Sequence, residues 1–288
     1  MSTDTATGDA LSAALYAGPE AFQRERRTVF QTAWLLLARS EMLREPGAYV
    51  AQTLGGWPIF AIADVNGLAG VYRNICRHQG LPLFDTGAGR CAEIRCRYHG
   101  WTYGAHGRFM VAPPQVMPSD PADAMHQLER VAAKAFRGLL FIHLGGAPTE
   151  LEPAVAGLAG VDFEALPFQG ETITDIDANW KVVMEHALAA APAGLSRRSI
   201  WPTLLVDAGD GGVVLHQVIP RAFQRTRIHH YRYGAAPAEP IAAEANALRA
   251  AAVAAQAEVG RGVVPDLPPT PALAEFRALV RAAHSAVT

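Results

Sequence analysis

Cysteine is scarce in this sequence. The 288 residues include three cysteines, Cys76, Cys91 and Cys96, and all of them lie in one short stretch. An odd number of thiols placed so close together argues against a disulfide framework and favours metal ligation in a reducing compartment.

Runs of one charge and long apolar segments are also missing. The chain has 25 basic and 27 acidic residues and a formal net charge of −2, so electrostatics gives no reason to expect a nucleic acid or an anionic membrane as partner. No stretch reaches the roughly 20 apolar residues that span a bilayer. The polar residues 1–15 lack the basic-then-apolar order of a secretory signal. We therefore expect a cytoplasmic protein with no nucleic-acid partner and no membrane partner.

The length and the apolar content, half of all residues, predict two domains. The pattern of strands and helices along the chain predicts the α+β class. In the first half, residues 18–34 have apolar residues near helical spacing and predict an amphipathic helix. Residues 47–72 form short β-rich runs, with a hairpin turn at Val65-Asn66-Gly67. Residues 138–144 predict one further buried strand, and the Gly- and Pro-bearing stretch that follows places a domain boundary near residue 150.

The second half combines strands with long helices. Residues 204–219 and 226–233 predict strands, whereas the Ala-rich segments 242–259 and 271–287 predict helices. His229 and His230 are neighbours on one of these strands, so their side chains must point to opposite faces, and at most one of them points inward.

Two short motifs offer one thiolate and one imidazole each. They are Cys76-x-His78 and Cys96-x-x-His99, and Gly80 and Gly100 follow them. Pairing soft, charged thiolates with neutral imidazoles raises the potential of an iron–sulfur cluster above that of a four-thiolate site. Glycine permits the close backbone approach that a cluster needs. The pattern predicts a Rieske-type [2Fe-2S] cluster, with Cys76 and Cys96 on one iron and His78 and His99 on the other.

A structural zinc site is the alternative for these four residues, because two Cys and two His also complete a tetrahedral zinc shell. Zinc modules commonly place their thiols in a C-x-x-C knuckle, whereas Cys and His alternate here in both motifs. Cys91 has no His beside it, and we expect it to be a bystander in the loop.

Three elements carry a resemblance to a known family: N-x-C-x-H-x-G at residues 74–80, C-x-Y-H-G-W at 96–101, and Asn179-Trp180-Lys181 followed by Glu185. Over nearly the whole chain the sequence resembles the large (alpha) subunit of the Rieske non-heme iron ring-hydroxylating oxygenases.

The resemblance implies an N-terminal Rieske antiparallel β domain and a C-terminal helix-grip (START-like) domain. The corresponding boundaries are an N-terminal helical brace at 1–37, the Rieske [2Fe-2S] domain at 38–150 and the helix-grip domain at 151–288. It also implies a trimeric ring, and a mononuclear iron held by two His and one carboxylate in the second domain.

The chain departs from this family at the mononuclear iron. By position, the family's acid and two histidines become Ala189, Pro192 and a residue at or near Arg197. Ala and Pro have no side-chain donor atom, and a guanidinium is permanently cationic. The late helix offers Glu244 and Glu258, and neither lies where the family's Asp is expected. We therefore expect no mononuclear Fe(II) in this chain.

These observations predict a non-catalytic alpha-like subunit of a heteromeric Rieske oxygenase. Its partner would be an iron-bearing alpha subunit in a trimer-based, hetero-oligomeric ring. No Gly-rich dinucleotide fingerprint follows a predicted strand, so a separate reductase or ferredoxin would supply electrons. Two alternatives stay open: an active mono- or dioxygenase with atypical iron ligands, such as His186 with late-helix carboxylates, and a redox-sensing, ligand-binding module.

Overall fold

The structure, a computed structural model, describes residues 10–286 except 68, 191–193, 210 and 237, and it leaves the side chains of 238–240 undescribed. The chain divides into two units. We call Leu35–Pro148 the cluster unit, and Met1–Trp34 together with Thr149–Thr288 the cavity unit. The segment expected to form a separate N-terminal brace thus groups with the C-terminal part of the chain.

The cluster unit is built from short antiparallel strands. The strands are β1 (Trp34–Arg39), β2 (Ala48–Leu54), β3 (Trp57–Ala63), β4 (Ala69–Arg73), β5 (Gly87–Arg90), β6 (Ile94–Arg95), β7 (Thr102–Tyr103), β8 (Phe109–Val111), β9 (Ala132–Phe136) and β10 (Leu139–His143). Within the described residues they form three sheets, in the orders β4-β3-β2-β5, β6-β7-β8 and β1-β10-β9.

The predicted hairpin is confirmed between β3 and β4. Ala63 pairs with Ala69 in antiparallel register, and the backbone N–H of Asn66 donates to Oδ1 of Asp64 at 2.8 Å. Gly67 has a φ of 73°, a left-handed conformation that glycine adopts without the steric penalty of a Cβ.

The cavity unit places helices against one sheet. Its helices are α1 (Ala13–Ala17), α2 (Pro19–Thr28), α3 (Leu151–Ala154), α4 (Trp180–Ala189), α5 (Ala238–Val259) and α6 (Pro271–Ser285), and its strands are β11 (Phe168–Ile176), β12 (Ser196–Ile200), β13 (Leu204–Gly209), β14 (Gly212–Ala222) and β15 (Arg225–Gly234). The strands lie in the order β11-β15-β14-β13-β12. No helix of the described part of the chain is long and apolar enough to cross a bilayer.

The N-terminal helix is shorter than its apolar spacing predicts. Helix α2 ends at Thr28, and Trp34 opens β1 instead of closing the helix. The hydroxyl of Thr32 donates to the carbonyl of Thr28 at 2.8 Å, a local bond that competes with helix continuation. The prediction was therefore wrong at this end, because sheet pairing of β1 with β10 outweighed a helical pattern.

The Asn179-Trp180-Lys181 motif anchors the helices of the cavity unit. Oδ1 of Asn179 caps α4 by accepting from the N–H of Lys181 at 2.9 Å. The indole of Trp180 donates to Glu25 at 2.7 Å, and Nζ of Lys181 lies 2.7 Å from the same carboxylate. Burial acts to raise the pKa of Glu25, but Lys181 and hydrogen bonds from His284 and Trp180 lower it. The motif therefore serves to fasten α2 onto α4.

Glu185, the last residue of the motif, is fully buried in a second polar contact. It accepts from the hydroxyl of Tyr16 at 2.8 Å and from the guanidinium of Arg277, with both distances at 3.1 Å. This carboxylate joins α1, α4 and α6, and its oxygens are committed to those helices.

Candidate functional site

Two loops with the same backbone pattern bring the predicted cluster ligands together. In the first, the N–H of Cys76 donates to the carbonyl of Leu81, and the N–H of Gly80 donates to the carbonyl of Cys76; in the second, Cys96 bonds to Trp101 and Gly100 bonds to Cys96. Gly80 and Gly100 have positive φ angles of 76° and 70°. Each loop therefore folds back on its cysteine, and glycine is required at the return.

The side chains of the predicted ligands lie near one another. The rings of His78 and His99 lie 4.8 Å apart, centre to centre, while Cys76 and Cys96 are both buried. Nδ1 of His78 is buried and has no hydrogen-bond partner among the described residues. A buried donor or acceptor without a partner is costly unless something else satisfies it. An iron ligated by this nitrogen would do so, and the residues present fit a [2Fe-2S] cluster.

The aromatic side chains of Trp101 and Tyr103 pack against these loops. Trp101 stacks on the ring of His78 at 5.1 Å. The hydroxyl oxygen of Tyr103 accepts the N–H of Arg77 at 3.0 Å and lies 3.3 Å from Sγ of Cys76, so its proton is free to point at the sulfur. Burial raises the pKa of the Cys76 thiol, and the hydroxyl of Tyr103 lowers it.

Cys91 lies outside this group. It is half-buried at the end of β5, where its N–H donates to the carbonyl of Gly47 at 3.0 Å. Burial raises the pKa of this thiol, which keeps it in the protonated, poorly ligating form.

The cavity unit contains a cavity of about 510 Å³ at the place where the family resemblance implies iron. Ala189 and Arg197 line it, whereas Pro192 lies outside the described residues. Nε and Nη2 of Arg197 donate to the two carboxylate oxygens of Asp207, at 2.7 and 2.5 Å. Nη1 of Arg197 donates to the carbonyls of Ala187 and Ala190 at 2.8 and 2.9 Å. The guanidinium is thus fixed in the wall of the cavity.

A row of polar side chains continues from Arg197 across the sheet, and each of the five strands contributes one member. Nε2 of His216 lies 2.9 Å from Asp207, the Nδ1 atoms of His216 and His230 lie 2.7 Å apart, and Nε2 of His230 lies 3.1 Å from Oγ1 of Thr174. Burial, followed by the neighbouring His216, lowers the pKa of His230 to about 3. We call these five residues the polar row: Thr174, Arg197, Asp207, His216 and His230.

Sequence reasoning missed Asp207 and His216. The available signal was an ionisable residue inside an otherwise apolar strand, since such residues are rarely buried without a partner. His229 and His230 point to opposite faces of the sheet, as expected. His230 is buried in the row, and His229 is partly buried on the other face beside Glu171.

The late-helix carboxylates are separated from each other. Glu244 is an exposed residue that lines the cavity, whereas Glu258 forms an exposed ion pair with Arg261. His186 also lines the cavity, and its Nδ1 lies 2.9 Å from the carbonyl of Val182. Within the described residues, no group of three or more His, Cys, Asp or Glu side chains that could hold a metal ion is found, either at the cavity or at the cluster loops, where each iron of a Rieske cluster would take two protein ligands.

Comparison with known proteins identifies the first unit. The family model of the Rieske [2Fe-2S] domain matches residues 33–126. The glycine betaine monooxygenase oxygenase subunit of Chromohalobacter salexigens is 30% identical over 175 residues, which is 59% of this chain and 39% of that protein. The large oxygenase component of the naphthalene 1,2-dioxygenase system of Pseudomonas aeruginosa is 28% identical over 186 residues, 60% of this chain and 40% of that protein. The matched region thus spans about four tenths of these relatives.

Solved structures share the fold over almost the whole chain. The apo form of the quaternary ammonium Rieske monooxygenase CntA superimposes with a TM-score of 0.78 at 20% identity, covering 96% of this chain and 97% of the other. A naphthalene 1,2-dioxygenase with bound indole gives a TM-score of 0.66 at 16% identity, covering 98% and 81%. The predicted fold class, a Rieske β domain followed by an α+β domain of the oxygenase type, is confirmed. The chain carries a Rieske [2Fe-2S] domain at residues 33–126, and about six tenths of it is similar in sequence to the large subunits of Rieske oxygenases.

Proposed function

We propose that this chain is a non-catalytic, alpha-like subunit of a heteromeric Rieske oxygenase. Cys76, His78, Cys96 and His99 ligate its [2Fe-2S] cluster, which passes electrons to a neighbouring subunit that carries the mononuclear iron. The chain itself binds no mononuclear Fe(II).

The cluster half of the proposal is supported by the paired loops. They leave two buried thiols and a buried, unsatisfied imidazole nitrogen close together. When bound, the cluster supplies one-electron transfer, and two imidazole ligands raise its potential relative to an all-thiolate cluster. The protein holds the ligands in place, and Tyr103 and Trp101 shield the sulfur side from water.

The position of Arg197 supports the second part of the proposal, that the chain binds no mononuclear Fe(II). Fe(II) of this enzyme class needs two imidazoles and a carboxylate with free donor atoms. At the cavity wall the chain instead presents a guanidinium, a permanent cation that repels a metal ion. The imidazoles and the carboxylate of the polar row bond to one another, so the described residues around the cavity do not fit a mononuclear iron site.

The partners follow from this arrangement. A subunit with a cluster but no oxygen-activating iron has use for its electrons only beside an iron-bearing subunit, and a closed head-to-tail ring provides such a neighbour. The relatives are named as subunits or components of oxygenase systems. By extension, a separate reductase or ferredoxin reduces this cluster, and the complex works in the cytoplasm.

Metal analysis of the purified chain tests the proposal. We expect two irons and two acid-labile sulfides per chain and a Rieske-type EPR signal on reduction. Cys76→Ser should remove both irons together. This result would mean that the chain holds no iron outside the cluster. A third iron that survives in this variant would contradict the proposal.

Activity provides the second test. The chain alone, supplied with reductant, should consume no oxygen with any substrate, and affinity purification from the native cell should recover an iron-bearing alpha subunit with it. Substrate hydroxylation by the isolated chain would overturn the proposal.

The second candidate is an active oxygenase with atypical ligands. It is favoured by one observation, that His186 and Glu244 line the same cavity. The same iron count decides between the two candidates, because an active oxygenase requires the third iron.

A further inference from the structure

The cavity of the cavity unit is unusually poor in free hydrogen-bonding groups, although a guanidinium and three imidazoles line it. Three members of the polar row, Arg197, His216 and His230, form its floor, and the row can be followed atom by atom. Asp207 is held as a carboxylate by Arg197 and His216, which lower its pKa against the effect of burial. Its oxygens can only accept, so Nε2 of His216 carries a proton.

With one proton on each ring, the remaining bonds of the row run in one direction. Nδ1 of His216 accepts from Nδ1 of His230, and Nε2 of His230 then accepts from the hydroxyl of Thr174. Both ring nitrogens of both histidines are therefore occupied within the row. The charges of Arg197 and Asp207 cancel within this ion pair.

The walls of the cavity consist of small and aliphatic side chains. Helix α4 contributes Ala187, helix α5 contributes Ala245, and the sheet contributes Leu205, Val218 and Ile228. Because the helices present methyl groups here, space remains between them and the sheet. Large apolar cavities destabilise a fold when they stay empty, and pockets of this size typically hold small molecules.

Two polar groups of the lining remain open to a ligand. The carbonyl of Val182 can only accept, so Nδ1 of His186 carries the proton of that bond and Nε2 is the ring nitrogen left for a ligand. Glu244 is exposed and has no ion-pair partner among the described residues. The described residues of the lining include no Trp, Tyr or Phe, and so provide no aromatic cage of the kind that stabilises a quaternary ammonium ion.

We infer that this cavity is a preformed site for an uncharged organic molecule that carries one hydroxyl, and that Nε2 of His186 accepts the proton of that hydroxyl. Anions are excluded despite Arg197, because its charge is neutralised by Asp207 and Glu244 repels them. The inference rests on the proposed function in one respect, namely that no iron occupies the cavity.

Three probes of nearly equal shape test the ligand class: 4-ethylphenol, 4-ethylbenzoate and 4-ethylanisole, titrated calorimetrically into the full, cluster-loaded chain at pH 7. We expect one 4-ethylphenol per chain. We expect 4-ethylanisole, which lacks the donor, to bind about tenfold more weakly, a difference that corresponds to one hydrogen bond. The benzoate should bind more weakly still.

Variants separate recognition from folding. His186→Ala should reduce phenol affinity to the level of the anisole and leave anisole affinity unchanged, and His186→Gln, which restores an acceptor, should recover part of the loss. Ala245→Leu fills the cavity and should weaken all probes alike. Equal or tighter binding of the benzoate, or an equal loss of phenol and anisole in His186→Ala, would overturn the inference.

Iron counting on the same sample distinguishes failure of this inference from failure of the proposed function. If no probe binds and two irons are present, this inference fails while the proposed function stands. If a third iron is present, the proposed function fails first.

Discussion

The two units contain similar donor atoms and use them in opposite ways. In the cluster unit, two thiols and two imidazoles converge, and a buried imidazole nitrogen has no protein partner. In the cavity unit, two imidazoles and a carboxylate also converge, but each bonds to another member of the polar row. The first arrangement leaves a buried nitrogen unsatisfied by the protein, whereas the members of the second satisfy one another.

This contrast shows that residue type alone does not identify a metal site. Asp207, His216 and His230 have the composition of a two-His, one-carboxylate iron site. Their nitrogens and oxygens face one another at hydrogen-bond distance, and Arg197 already balances the carboxylate. A metal would have to break these buried bonds before it could bind.

Loss of a cluster ligand should produce the largest effect. Cys96→Ser should abolish the visible absorption and the EPR signal of the cluster, since a neutral hydroxyl cannot replace a thiolate on iron. Cys91→Ser is the matched control, because that thiol lies outside the group, and it should keep full iron and sulfide content. Cluster loss in the control would show that the ligand set has been misassigned.

Breaking the polar row should have the next largest effect, a loss of folding stability. Asp207→Asn leaves the guanidinium of Arg197 without its counter-charge, and we expect a loss of about 3–5 kcal/mol in the free energy of unfolding. The exposed pair of Asp175 and Arg227 provides the comparison: Asp175→Asn should cost less than about 1 kcal/mol. Urea unfolding measures both. Equal effects would mean that the row contributes no more than a surface ion pair.

The polar row should also make stability depend on pH. The pKa of His230 is about 3 in the folded protein and close to its ordinary value of about 6.5 when unfolded. Between these values the unfolded chain binds the extra proton, so stability falls as pH falls. From pH 6.5 to pH 5 this amounts to roughly 2 kcal/mol. His230→Gln should remove that part of the decline in urea unfolding, and a variant curve parallel to that of the unchanged protein would refute the assignment.

The smallest predicted effect concerns the potential of the cluster. A hydrogen bond to a ligating sulfur stabilises the more negative, reduced cluster, so Tyr103→Phe should lower the midpoint potential. A bond worth about 1 kcal/mol corresponds to roughly 40 mV for one electron. Tyr98→Phe, at an exposed tyrosine in the second of the two predicted ligand loops, should leave the potential unchanged. Redox titration followed by EPR measures both variants.

Local patterns in the sequence predicted much of the cluster unit. The hairpin at Asn66-Gly67 follows from turn chemistry, and the two Cys/His motifs place each ligand pair within one short loop. In the cavity unit, the predicted helix ends at residues 259 and 287 also lie close to the observed ends at Val259 and Ser285. These features depend on neighbours a few residues apart, which a sequence displays directly.

Contacts between distant parts of the chain were not predictable in this way. The segment that ends at Trp34 has helical spacing, but pairing of β1 with a strand about a hundred residues later overrides it. The partners of the Asn179-Trp180-Lys181 motif include Glu25 and Gln256, and no local pattern points to either residue.

The amino-acid order was therefore sufficient to identify an iron–sulfur module, because the four predicted ligands lie in two self-contained loops. The role of the polar row emerged only after folding. Thr174, Arg197, Asp207, His216 and His230 lie on five different strands, and sheet register alone brings their side chains within hydrogen-bond distance. Whether such groups hold a metal or satisfy one another depends on where their atoms point, and packing of the whole sheet sets those directions.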